Sequence, residues 1–154
     1  MEKIAKKFME VFSGLERAHG VYEITGQKTT AKGVKKDGRG RTLQEPLTLD
    51  LWARHLKGEI SIGVIPLKDD ETCKWGCIDI DTYPFDHKKF IQKLKEKKIP
   101  SVVFRSKSGG AHSFIFTKVK VPAIVMREKL KMIASAMGHA RAEIFPKQDY
   151  IRVD

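Results

Sequence analysis

"WGCIDID", residues 75–81, decides how the chain folds, because it reads as a buried apolar strand that nonetheless carries Asp79 and Asp81. Alternate residues of a strand share a face and stand roughly 6.5 to 7 Å apart along the chain, so the two carboxylates project together while Ile78 and Ile80 bury on the other side. Two like charges on one face call for a compensating cation. Hard divalent ions take carboxylate oxygens, and two-metal phosphoryl-transfer sites hold their ions about 3.5 to 4 Å apart, a separation that such a pair can straddle. Asp-x-Asp in an apolar strand is therefore a Mg2+ or Mn2+ motif. Taken alone, the same pair also describes a solvated acidic strand end.

Downstream, "DHKKFIQKLKEKK" predicts an amphipathic helix capped by Asp86, with Phe90, Ile91 and Leu94 inward. "IPSVVFRSKSGGAHSFIFTKV" follows as two apolar strands joined by a short Ser/Gly turn, a hairpin. Pro122 opens a helix through Val125, Leu130, Ile133 and Met137, with Met126, Met132 and Met137 as core filling, and "AEIF" makes a last strand. Upstream, Ile4, Phe8, Val11 and Phe12 recur at helical spacing over residues 3–13, "GVYEIT" alternates as a strand, and Thr48 caps a helix ending at Gly58. In that helix Trp52 and Leu56 read as core and His55 as structural. "ISIGVIP" then reads as another strand. Strands and helices interleave within 154 residues without a repeat, which predicts one α+β domain over 1–154 with a mixed β-sheet and flanking helices.

Lys and Arg outnumber Asp and Glu, 30 to 19, for a formal net charge of +11. Such an excess favours phosphate-bearing partners, because each neutralised phosphate releases condensed counterions. The stretch "QKTTAKGVKKDGRGRT", residues 27–42, gathers Lys28, Lys32, Lys35, Lys36, Arg39 and Arg41 with three glycines and reads as a flexible basic loop. It is either a solvated connection or an arm that orders on a nucleic-acid strand. Met1–Val11 has no continuous apolar core for a signal peptide, and no stretch approaches the roughly 20 apolar residues a membrane span needs, so the expected protein is cytoplasmic, with no membrane partner. Cys73 and Cys77, even with His87 nearby, lack the spacing of a zinc site and read as free thiols.

"RSKSGGAH", residues 105–112, supplies the complement to the acids. Its glycines let successive N–H groups converge on an anion, and Ser106, Lys107, Ser108 and His112 add donors suited to a triphosphate. The order of a Walker loop is absent, and the turn leads into a strand instead of a helix. An ordinary glycine-containing hairpin turn has the same composition. Glu143 in "AEIFPKQ" is a third acid, on the strand after the last long helix.

In their order, "GCIDID", "FRSKSGGAHSFIF" and "EIFPKQ" resemble the three motifs of the archaeo-eukaryotic primase superfamily, in particular the primase-polymerase domains of phage and mobile-element replication or conflict systems. The likeness runs from "LWARHLKGEISIGVIP" to the end of the chain, with a weaker match at "GLERAHGVYEI". It implies a catalytic module with an RRM-like sheet that makes or extends primers on single-stranded or primed DNA from nucleoside triphosphates, often fused to or working with a helicase. It further implies that Asp79, Asp81 and Glu143 bind Mg2+ or Mn2+, that Ser106, Lys107, Ser108 and His112 hold the incoming triphosphate, and that Lys147 touches phosphate or template. The third acid is Glu where many relatives carry Asp, and the chain stops at Asp154 where relatives generally continue with another strand, so a truncated domain is expected. Two other functions use the same residues: a non-catalytic module that binds single-stranded nucleic acid, and a metal-dependent nuclease, which has no need of a triphosphate cradle.

Overall fold

The computed structural model describes residues 1–30 and 33–151, and of residues 33, 35 and 36 the backbone alone. Helix α1 (Glu2–Val11) leads into strands β1 (His19–Thr30) and β2 (Gly33–Leu43), then helix α2 (Leu49–Leu56) and a two-residue strand β3 (Ile62–Gly63). There follow β4 (Thr72–Ile80), α3 (His87–Glu96), β5 (Val102–Arg105), β6 (Ala111–Pro122), α4 (Ala123–Ala136) and β7 (Glu143–Phe145). The caps expected from sequence are in place. Thr48 accepts from the Leu51 amide at 3.3 Å, and Asp86 accepts from the Lys89 amide at 3.0 Å.

The second half is a strand–helix–strand–strand–helix–strand unit whose sheet runs β5-β6-β4-β7, the order of an RRM-like or ferredoxin-like sheet. The α+β class holds, but the strands form no mixed sheet. Every pairing among the described residues is antiparallel. The reason lies in the hairpin: α3 carries the chain from β4 to β5 in the same sense, and β6 then inserts between them, antiparallel to both.

Alternation along β4 sorts the two faces. Ile78 and Ile80 are buried at 1% and 2% exposure in the cluster that α3 and α4 cover with Phe90, Leu94, Met126 and Leu130. Each such side chain contributes roughly 1.5 to 3 kcal/mol by leaving water, and truncating Leu130 to alanine would cost about 2 to 5 kcal/mol. Met126 and Met137 belong to this core, whereas Met132 is 66% exposed and fills nothing. On the opposite face Trp75 meets Phe12 edge-on at 5.5 Å, and Phe12 also contacts Phe114, Phe116 and Trp52. Trp75 Nε1 donates to the Ser13 carbonyl at 2.9 Å. Thus α1 and α2 cover one end of that face, as Trp52 predicts, while Ile4 and Val11 stay exposed.

Two further expectations change. "ISIGVIP" contributes only Ile62–Gly63 to a strand. Where it is described, the basic stretch is not a flexible loop: residues 27–30 and 33–42 continue β1 and β2, an antiparallel ribbon in register from His19 opposite Leu43 to Thr30 opposite Gly33, with one irregularity between Ile24 and Gly26. Val21, Tyr22 and Ile24 before the lysines, and Val34 among them, give the ribbon its β preference. Together with β3 the ribbon forms a second sheet, β2-β1-β3.

Candidate active site

The face of the four-stranded sheet away from α3 and α4 carries the acids. Cross-strand register sets Asp79 opposite His112 on β6 and opposite Glu143 on β7, and sets His112 opposite Phe104 on β5. Directly opposed residues of antiparallel strands share a face, so Glu143, Asp79, His112 and Phe104 form one row across the whole sheet. The next row is Phe145, Cys77, Phe114 and Val102. Asp81 lies one residue beyond the end of β4. Asp79, Asp81 and Glu143 nonetheless line a single cavity of about 490 Å³, closed on its other side by the residues after α4, among them His139 and Arg141.

Asp79 is the electrostatic anomaly. Its Oδ1 is buried and has no hydrogen-bond partner among the described residues. Nε2 of His112 stands 3.4 Å away, close enough to attract when the ring is protonated but without hydrogen-bond alignment. A buried carboxylate oxygen left unpaired costs free energy, and a cation or a donor from a bound molecule would relieve it. The Asp79 charge reaches its neighbour too: the Cys77 thiol is pushed far up, first by burial and then by that carboxylate. Burial likewise raises Cys73 to about 11. Both cysteines are buried free thiols, and they serve as packing.

The other acids are engaged. Asp81 Oδ1 accepts from the Tyr83 hydroxyl at 2.6 Å. Glu143 Oε1 is paired with Lys147 Nζ at 2.6 Å, so Lys147, expected on phosphate or template, rests on the third acid. Among the described residues no three His, Cys, Asp or Glu side chains converge closely enough to hold a metal ion. The donor set nevertheless suits Mg2+ or Mn2+: three hard carboxylates border one cavity, and one of them has an orphaned oxygen.

The "RSKSGGAH" segment is the turn between β5 and β6. The Ser106 amide donates to the Gly110 carbonyl and the Ser106 carbonyl accepts from the Gly109 amide, both at 3.0 Å. Gly109 has φ +94°, and a Cβ on Gly110 would collide with the Ile80 carbonyl, so these two glycines let the turn press against the exit of β4 beside Asp81. His87, at the start of α3, holds the same Gly110 carbonyl through Nε2 at 2.9 Å. Ser106 is only 8% exposed, and its hydroxyl is buried without a hydrogen-bond partner among the described residues. His112 projects on the acid face. Lys107 does not reach the acids: its Nζ sits over the Tyr22 ring of β1, 3.2 Å from the centroid, a cation–π contact that joins the ribbon to the turn.

Of the basic ribbon residues, Lys28 is paired with Asp37 at 2.9 Å, and that contact, with the Gly38 amide, holds the Asp37 carboxyl below its ordinary range. Arg39 and Arg41 are exposed on β2. Lys35 and Lys36 lie on the β2 backbone opposite Lys28 and Gln27, and Lys32 falls outside the described residues. Sequence reasoning missed Tyr22, Tyr83, His139 and Arg141, and weighed His87 only as a zinc ligand beside the cysteines. Their only signal was position: Tyr83 and His87 follow the Asp-x-Asp strand, and "HAR" runs from the end of α4 almost to Glu143.

No helix among the described residues is long and apolar enough to cross a membrane. A family model described as the archaeo-eukaryotic primase domain of the TOTE conflict system matches residues 17–154. No curated protein matches the chain.

Proposed function

We propose that this chain, which belongs to the archaeo-eukaryotic primase family of TOTE conflict systems, is a template-directed nucleotidyltransferase that makes or extends primers on a DNA strand. The observation that supports the reading most is the orphaned Asp79 oxygen, set in register between His112 and Glu143 on an open sheet face. Asp79, Asp81 and Glu143 would hold Mg2+ or Mn2+. Bound there, such ions supply the positive charge that favours a deprotonated 3′-hydroxyl and offsets the charge on the reacting phosphate and the departing pyrophosphate.

The side chains do the rest by placement. His112, one position across the ladder from Asp79, donates to a phosphate oxygen of the incoming nucleotide. The Ser106 hydroxyl, which has no hydrogen-bond partner among the described residues, offers a neutral donor, and Lys107, once it leaves the Tyr22 ring, adds a charge. Fixing both reactants on one rigid sheet makes the transfer effectively unimolecular, as in other phosphoryl transfers. The ribbon would hold the strand through phosphates without reading its sequence, since nothing in the sequence resembles a recognition helix with base-reading side chains at defined spacing. A DNA-replication role inside the cell, with a helicase fused or associated, completes the proposal.

One observation favours a rival: Glu143 is already neutralised by Lys147, and three ligands do not converge among the described residues. On that reading the fold is a platform for single-stranded nucleic acid without chemistry. Extension of a labelled primer tests the two, since incorporation requires the first and strand retention without incorporation the second. Shortening of the strand would indicate the nuclease.

A further inference from the structure

One face of the ribbon is a ladder from the interior outward. His19 pairs with Leu43, Val21 with Arg41, and Glu23 with Arg39, and residues two apart share that face. Helix α2 and the segment after it stand across from the ladder, and between them lies a cavity of about 1150 Å³, lined by none of the three acids. Its inner walls carry Val21, Leu43, Leu51 and Ile62. Arg39 and Arg41 stand at its exposed rim, without an ion-pair partner among the described residues, whereas Arg54 on the α2 side is paired with Glu59 at 3.5 Å.

His19 makes this a built site. It is 1% exposed, and its Nδ1 stands 2.8 Å from the Glu45 carbonyl oxygen. That oxygen can only accept, so Nδ1 carries a proton, and in the tautomer this contact selects Nε2 is an acceptor. Nε2 is buried and has no partner among the described residues. Glu23 stands at the same rim opposite Arg39, and Glu59 is taken up by Arg54, so Arg39 and Arg41 leave one positive charge in excess there. A buried acceptor in the wall of a cavity with apolar sides and such a rim suits a molecule with three parts: a flat apolar body, an N–H donor at its inner edge, and an anion at its outer end. A nucleotide has all three.

We propose that this cavity takes one unstacked nucleotide of the bound single strand, its base against Val21, Leu43, Leu51 and Ile62, an N–H of its Watson–Crick edge donated to His19 Nε2, and its phosphate on Arg39 and Arg41. The inference rests on the strand-binding part of the proposed function and adds a base pocket to it. A unit of a strand fits better than a free mononucleotide because the arginines continue a ribbon that carries further cations along β1 and β2. Every base offers an N–H on that edge, so the pocket favours the presence of a base over its absence without selecting a sequence.

The test is binding of two fluorescent oligonucleotides of equal length, one of mixed sequence and one built from abasic residues, to the whole chain without divalent metal or nucleoside triphosphate. The parental protein should prefer the strand with bases by roughly tenfold, the range of one well-held base. His19→Phe should remove most of that preference and leave abasic binding unchanged. A preference undiminished in His19→Phe overturns the proposal. Since the substitution also removes the contact to Glu45, a second measurement uses the parental protein: a 4-thiothymidine strand should photocrosslink to residues of the cavity wall, such as Leu51 or Ile62, and crosslinks confined to other surfaces overturn it. Competition by free nucleoside monophosphate as effective as by the strand also overturns it. Because the assay needs no chemistry, a protein that binds this way but never extends a primer would retain the pocket and lose the proposed activity.

Discussion

Asp79 and His112 stand directly opposite one another on β4 and β6, with Nε2 of the histidine 3.4 Å from Oδ1 of the aspartate. The pair joins a motif expected to hold metal to one expected to hold triphosphate, at a single rung of the ladder. Replacing Asp79 with Asn should reduce primer extension by two orders of magnitude or more while leaving the melting temperature unchanged or slightly raised, because it removes the charge of a carboxylate whose buried Oδ1 has no hydrogen-bond partner among the described residues. Extension at the parental rate would take Asp79 out of the site.

His112→Ala should weaken nucleoside triphosphate binding by about 5- to 150-fold, the cost of one hydrogen bond to a charged group at about 1 to 3 kcal/mol. Affinity for single-stranded DNA should change far less. Separate titrations of the two ligands check this, and equal losses on both would reduce His112 to a support for the β5–β6 hairpin.

Lys107 lies on the Tyr22 ring, and if nucleotide must draw it away, the contact opposes binding. Tyr22→Leu should therefore tighten triphosphate binding by a few-fold, the scale of a partly exposed cation–π contact, and Lys107→Ala should weaken it. Calorimetry on both variants decides, and weaker binding by Tyr22→Leu would show that the ring positions the lysine for its ligand.

Neutralising Lys35, Lys36, Arg39 and Arg41 together should flatten the dependence of log affinity on log salt for single-stranded DNA by up to about 3, if all four meet phosphates. Fluorescence titration at several salt concentrations reads the slope. An unchanged slope would place the strand elsewhere.

His139 packs against Phe85 and Phe90 with ring centroids 6.0 and 5.7 Å away, and burial, then the Lys93 charge, lowers its pKa from the ordinary value of 6.5. The unfolded chain therefore binds a proton that the folded chain resists. The His139 contribution to stability is fully present above about pH 6.5 and is lost as pH falls from there toward the lowered folded value. Melting curves between pH 7 and 5 should fall less steeply for His139→Phe than for the parent. Identical slopes would remove His139 as a source of that loss.

Local chemistry made much of this fold legible: the alternation of "WGCIDID", the caps Thr48 and Asp86, and the glycines between β5 and β6 each act within a few residues. The pairing of β6 between β4 and β5 is non-local and aligns Asp79 with His112, and the equally non-local pairing of β7 on the other side of β4 aligns it with Glu143. Residues 27–42 misled because lysines and glycines carry a loop composition, while the ribbon is held by its backbone ladder and by contacts such as Lys28 with Asp37. The partners of the site residues were equally invisible. Nothing within reach of Lys107 in sequence points to Tyr22, which lies 85 positions away along the chain, and the Lys147–Glu143 pair emerges only when the segment after β7 folds back on the acid.

The most direct test of nucleotidyl transfer at the Asp79 rung is extension of labelled primed and unprimed DNA templates by the parental chain and by Asp79→Asn, with nucleoside triphosphates and either Mg2+ or Mn2+. Metal-dependent incorporation by the parent, abolished in the variant, is the expected result. Strand binding by the parent without incorporation under either metal, or incorporation that Asp79→Asn leaves intact, would contradict it.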